Sequence, residues 1–218
     1  MTPIVCIVGK SGAGKTYVME RVVAELKNRG YRVATVKHSA HGFELDKEGK
    51  DSWQHAQAGS DAVVISSPQK FAIIRKSDRD YTLAELSRFI GPDFDIILAE
   101  GFKRDKAFKV EVHRREQGAD LICGRDELLA VVTDEQLERN VPQFAPDDTM
   151  ELVDLIEKRY LKQEDETAIS LFVNGKPVPL NDFVRRLFSN TLFSMVSALK
   201  GIPKARNIDI SVRKKARK

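Results

Sequence analysis

The sequence is poor in cysteine and aromatic residues, and it has no long apolar run. Its 218 residues include 2 Cys, 1 Trp and 8 Pro, and aromatics make up 7%. Cys6 and Cys123 lie 117 positions apart, and neither has a neighbour at metal-ligand spacing. Each sits in or beside an apolar run, where a free thiol packs as a small hydrophobe. That usage predicts a reducing, cytoplasmic setting. No stretch approaches the ~20 apolar residues of a bilayer span, so no membrane role is expected. The apolar run Ile4 to Val8 has no basic leader and meets Gly9 and Lys10 at once, which argues against a signal peptide. At 42% hydrophobic and 31% charged, the composition excludes disordered and collagen-like classes.

Charge is unevenly spread. The net charge is +4, yet residues 204–218 hold seven basic side chains against the single acid Asp209. The body is therefore nearly neutral. A basic end can touch nucleic acid, membrane or an acidic partner; the plainer reading is a solvated terminus, and nucleic-acid binding is not expected.

Strand and helix patterns alternate through the first 135 residues. Residues 3–8, 32–36, 62–66, 71–75, 94–99, 108–113 and 129–133 read as strands. Val18, Val22, Val23 and Leu26 recur at helical spacing up to Gly30, Asp51 to Ala58 fits a short helix, and Thr82 with Glu85 forms a capping box for another. A further helix is expected from Asp148 or Thr149 to about Leu161. This interleaving predicts an α/β fold, a mostly parallel sheet flanked by helices. The charged stretch Lys162 to Glu166 marks a linker between a domain at 1–161 and a small unit at 167–218. In that unit Asn174-Gly175 predicts a hairpin, residues 183–199 follow helical spacing, and Ile208, Ile210 and Val212 alternate as a last strand.

Gly9-Lys10-Ser11-Gly12-Ala13-Gly14-Lys15-Thr16 fits G-x-x-x-x-G-K-[ST], a P-loop, between a buried strand and an amphipathic helix. Its glycines let successive N–H groups turn onto phosphate oxygens. Lys15 reaches the β and γ phosphates, Thr16 can ligate Mg²⁺, and the helix N-terminus adds positive potential. The site needs an acidic partner at a neighbouring strand end. A parallel strand over 94–99 puts Glu100 at the ligand edge as a magnesium or water-positioning group, and Asp95 at the far end as a cap. Lys37, His38, His41, Asp46, Lys50, Asp51, Ser52 and His55 form a second polar cluster. His38 and His41 lack the further ligands of a strong zinc site.

The P-loop, then Val36-Lys37-His38-x-x-His41-x-Phe43, Asp46-x-x-Gly49-Lys50-Asp51-Ser52-Trp53, Ala58-Gly59, and Asp95 through Glu100-Gly101-Phe102-Lys103 resemble the molybdopterin-guanine dinucleotide biosynthesis protein B family, MobB. The resemblance runs from about Thr2 to Tyr160. It implies a P-loop GTP-binding accessory protein of molybdenum cofactor maturation, generally dimeric and at most a slow GTPase, working with the nucleotidyltransferase MobA. By carry-over, Gly9 to Thr16 hold the triphosphate, Glu100 and Asp51 lie near Mg²⁺, and Lys37, His38 and His41 line the functional loop. Pairing of the strand near Phe108 to His113 is expected to help make the dimer. No Asn-Lys-x-Asp or Thr-Lys-x-Asp motif is present to read guanine. Asp134 after Val132-Thr133 could accept from guanine N1 and N2, or cap a helix. A small-molecule kinase and a metal-chaperone GTPase are the competing classes. For 167–218, a docking module and a mere extension of the core stand side by side.

Overall fold

A computed structural model of the chain describes residues 2–39, 42–118, 120–162, 169–202, 205 and 207–212. Its contacts divide it into two compact units, 2–155 and 156–218, the latter grouped with residue 1.

The first unit is organised around β1 (Ile4–Gly9), whose residues from Val5 onward are buried. On one side it pairs with β5 (Ile96–Glu100) and on the other with β6 (Phe108–Val112), both parallel. With β2 (Val33–Lys37), β7 (Leu128–Val132) and the two-residue β8 (Gln143–Phe144), they make a six-stranded sheet in the order β2-β5-β1-β6-β7-β8. Every pairing in it is parallel. Burial on both faces explains the near-continuous apolar runs of β1, β5 and β7. The strand order reverses around β1, so the crevice outside its carboxyl end is where a parallel sheet binds ligands.

Helix α1 (Lys15–Asn28) covers β1 with Val18, Met19, Val22 and Leu26. It stops where sequence predicts: Gly30 takes φ 89°, its N–H donates to Lys27 O, and the Tyr31 N–H reaches back to Leu26 O, a Schellman ending. Arg29 joins Glu25 of α1 to Asp154 of α4 (Thr149–Ile156). The short α2 (Asp51–Gln57) precedes a separate antiparallel hairpin, β3 (Ala62–Ser66) with β4 (Phe71–Arg75). The capping box of α3 (Leu83–Ile90) is formed, with Glu85 N–H on Thr82 Oγ1 and Thr82 N–H on Glu85 Oε2.

In the second unit, β9 (Leu171–Val173) and β10 (Lys176–Val178) form the expected hairpin. Its turn residues Asn174 and Gly175 sit at φ 52° and 81°, as a primed turn requires. Helix α5 (Asp182–Ser197) is capped by Asn181, whose side chain accepts from the Val184 N–H. Among the described residues, no helix is long and apolar enough to cross a membrane.

The structure corrects four expectations. Residues 207–212 form no strand: among the described residues no strand pairs with Ile208, Ile210 and Val212. The last helix of the first domain is α-helical only to Ile156, and Glu157–Leu161 continues as a π-helix. The strand expected from Phe94 starts at Ile96. Finally β6 is an interior strand with β1 and β7 on its two edges, so it has no free edge with which to pair a second copy.

Candidate nucleotide site

The loop from Gly9 to Thr16 leaves the end of β1 and enters α1. Gly9 runs against the carbonyl of Val112 at the end of β6: a Cβ there would lie 2.4 Å from that oxygen, so no other residue fits. Gly14, in the left-handed conformation at φ 93°, turns the chain into the helix and leaves the first-turn N–H groups of α1 facing the loop. Lys15 Nζ donates to Lys10 O at 2.9 Å. Burial pushes the Lys15 pKa down, and the nearby Glu100 carboxylate opposes that shift. Thr16 is exposed at the helix start. The loop is a nest of backbone donors with one cation inside it, suited to polyanionic oxygen.

Glu100 ends β5 in register with Ile7 of β1 and Lys37 of β2, and its side chain is only 15% exposed. Lys37 Nζ lies 3.6 Å from its Oε1, and the His38 N–H donates to its main-chain oxygen. After Glu100 come two left-handed residues, Gly101 at φ 94° and Phe102 at φ 57°. A non-glycine residue held there carries backbone strain, which concentrates at functional sites. The turn brings the Phe102 ring against the His38 imidazole at 5.2 Å, while His38 Nε2 faces Asp80 at 3.6 Å.

The structure thus gathers Lys15, Glu100, Lys37 and His38 at one sheet edge. It places others elsewhere. His41 lies outside the described residues. Asp51 lines an open groove of about 530 Å³ with Asp46, Lys50, His55, Val63 and Ile65. Among the described residues, no group of three His, Cys, Asp or Glu is arranged to hold a metal. Asp95 lies at the far end of β5, paired with Arg32 at 3.0 Å and accepting the Arg32 N–H, and those contacts hold its carboxyl below the usual range. Asp134 Oδ1 accepts the Arg115 N–H at 3.1 Å, the first of a 3-10 helix over Arg115–Gln117, and Oδ2 lies 3.5 Å from Arg114 Nη1. The Arg115 N–H lowers its pKa.

Sequence reasoning missed the segment after β6. Arg114 Nε donates to Ala13 O at 3.2 Å, the Gln117 amide donates to Ser11 O at 2.7 Å, and Lys10 Nζ donates to Gln117 O at 2.6 Å. The one available signal was the doublet Arg114-Arg115 directly after a predicted strand. Behind it, Lys109 and Glu111 of β6 and His113 just after it turn inward, all buried. Lys109 Nζ meets Glu127 at 3.1 Å and Asp105 O at 2.7 Å. Glu111 accepts the Ile122 and Cys123 N–H groups, and His113 lies 2.9 Å from Glu135. Cys6 and Cys123 are free thiols whose pKa values burial pushes up to about 12.

Fold and loop together define a P-loop protein of the parallel α/β class. The model of the family described as molybdopterin guanine dinucleotide synthesis protein B, MobB, matches residues 4–134, and the chain belongs to that family. A molybdopterin-guanine dinucleotide biosynthesis adapter protein of Haemophilus influenzae is 36% identical over 66% of this chain and 85% of its own. A Methanocaldococcus jannaschii chain, 25% identical, aligns with 97% of this chain and 98% of its own, and so extends through the second unit. The crystal structure of Bacillus subtilis MobB matches with a TM-score of 0.60 at 28% identity, over 74% of this chain and 99% of that one.

Proposed function

We propose that the chain binds GTP with Mg²⁺ at Gly9 to Thr16 and serves as an accessory adaptor in making molybdopterin guanine dinucleotide, with MobA as its partner. The observation that carries this reading is the nest at the end of β1, with Lys15 inside it and Glu100 beside it. The family supplies the pathway, because the Haemophilus influenzae relative is a molybdopterin-guanine dinucleotide biosynthesis adapter protein.

The donor set fits a magnesium ion held mostly by phosphate oxygens and water. Thr16 offers a hydroxyl at the start of α1, and Glu100 offers a carboxylate that is mostly buried. Asp51 is left out of this set. Bound there, the metal would draw charge from the phosphate oxygens. Lys15 would hold the β and γ oxygens, and the α1 N-terminus would stabilise their charge. Glu100 would orient a water, with Lys37 Nζ 3.6 Å from its Oε1, and hydrolysis would be slow. Lys37 and His38 form the edge that responds to the γ phosphate.

A second copy fits the β3–β4 hairpin better than it fits β6. Val64, Phe71 and Ile73 share one hairpin face and are 61%, 70% and 61% exposed. An apolar face of this kind marks an interaction surface. Light scattering should give a dimer that Phe71→Glu dissociates.

The direct test is reconstitution. Adding the chain with Mg²⁺ and GTP to MobA and molybdopterin should raise dinucleotide formation, and Lys15→Ala should remove the gain. A chain that leaves MobA turnover unchanged would refute the adaptor role.

A further inference from the structure

The segment behind the nucleotide loop, which no motif announces, touches it at three points. Gln117 is used at both ends: its side-chain amide donates to Ser11 O, and its own carbonyl accepts Lys10 Nζ. Arg114 donates to Ala13 O, and its guanidinium lies so close to Gly14 that a Cβ there would come within 3.3 Å of it. Asp134 in turn holds Arg114 and the Arg115 N–H.

The N–H and C=O of a trans peptide point in opposite directions across one rigid plane. Holding the Ser11 and Ala13 carbonyls on the outer side therefore aims the Gly12 and Gly14 N–H groups the other way, into the nest. Glycine-rich loops are free to rotate these planes, so the outer bonds select one orientation. Organising the donors before the ligand arrives lowers the ordering cost of binding. Both Asp134 oxygens are engaged in holding Arg114 and Arg115, whereas a guanine-reading carboxylate needs them for N1–H and N2–H.

We propose that Arg114, Gln117 and Asp134 form a clamp of positioning residues that orients the P-loop donors and thereby sets affinity for the triphosphate, not the choice of base. This deepens the nucleotide-binding reading above and rests on it.

The test titrates the full chain with two probes in Mg²⁺: GTP, and inorganic tripolyphosphate, which has no base. Gln117→Ala and Asp134→Asn should each weaken both probes by the same factor, about tenfold for a lost hydrogen bond to a charged or loop-ordering group. A merely structural role would lower the thermal midpoint and leave the affinity of the folded chain alone, so melting is recorded on the same samples and titrations are run far below it. Asp134→Asn that loses GTP but keeps tripolyphosphate would assign the carboxylate to the base and overturn the clamp. So would Gln117→Ala with unchanged affinity for both, or a parent chain that takes GTP and no tripolyphosphate. Lys15→Ala separates the two levels: if it kept full affinity for GTP, the nucleotide reading itself would fall, whatever the clamp variants did.

Discussion

β1 and β6 lie side by side in the sheet with their carboxyl ends paired, yet they reach burial by opposite routes. β1 is apolar throughout. β6 alternates, and its Lys109 and Glu111, with His113 directly after it, are as deeply buried as the valines between them. Burying charge is costly unless each group is paired and hydrogen-bonded. Here each one is, and the partners are loop segments: Asp105 and Glu127 for Lys109, the 122–123 backbone for Glu111, Glu135 for His113. The apolar strand supplies core. The polar strand ties down the loops around the segment that grips the Gly9–Thr16 loop.

That contrast can be broken most severely at Glu111. Glu111→Leu keeps bulk but leaves two backbone N–H groups without an acceptor, and should cost about 3–5 kcal/mol of folding stability. Thermal or urea unfolding measures it; a loss under about 1 kcal/mol would mean that the polar ladder is incidental. Lys15→Ala should do the reverse, costing about 2–3 kcal/mol of GTP affinity by loss of a charge-assisted contact while leaving stability unchanged. Calorimetric titration and melting on one sample check both halves. Thr82→Ala, which removes the formed cap of α3, should cost about 1 kcal/mol in stability and nothing in binding.

The smallest effect is in pH. Arg79, beside the Thr82 backbone, holds the Glu85 carboxyl down at about 2, and Asp95 is lowered by Arg32. Carboxyls depressed in the folded state contribute stability that is present above their unfolded values, near 4.5 and 3.8, and is lost as pH falls toward 2. Denaturant midpoints between pH 6 and 2 should fall on that acid limb, and Glu85→Gln should flatten it. A midpoint that held steady to pH 2 would contradict the assignment.

What could be read from the chain alone follows the same division. The loop from Gly9 to Thr16 was legible because its motif is eight consecutive residues, and the place of Glu100 at the carboxyl end of β5 because a buried parallel strand fixes which way it runs. Gly30, the Thr82–Glu85 box and Asn174-Gly175 were legible because caps and turns are local. Arg114 and Gln117 were not: their role exists only once β6 pairs with β1, which brings residues about a hundred positions apart into contact. The strand near Phe108 to His113 was expected to help make the dimer, since a single sequence does not reveal that β1 and β7 take both its edges or that Glu127, Glu135 and the 122–123 backbone partner its polar side chains. Ile208, Ile210 and Val212 alternate as well, but a strand needs a partner, and pairing is not a property of the segment. Asp51 was set near Mg²⁺ by the family resemblance; in the fold it lines the groove beside β3.

The measurement closest to the central claim is calorimetric titration of the purified chain with GTP and then with ATP, each with Mg²⁺. Saturable binding that favours GTP and disappears in Lys15→Ala is the predicted result. Equal binding of the two nucleotides, a preference for ATP, or GTP binding that survives in Lys15→Ala would contradict it.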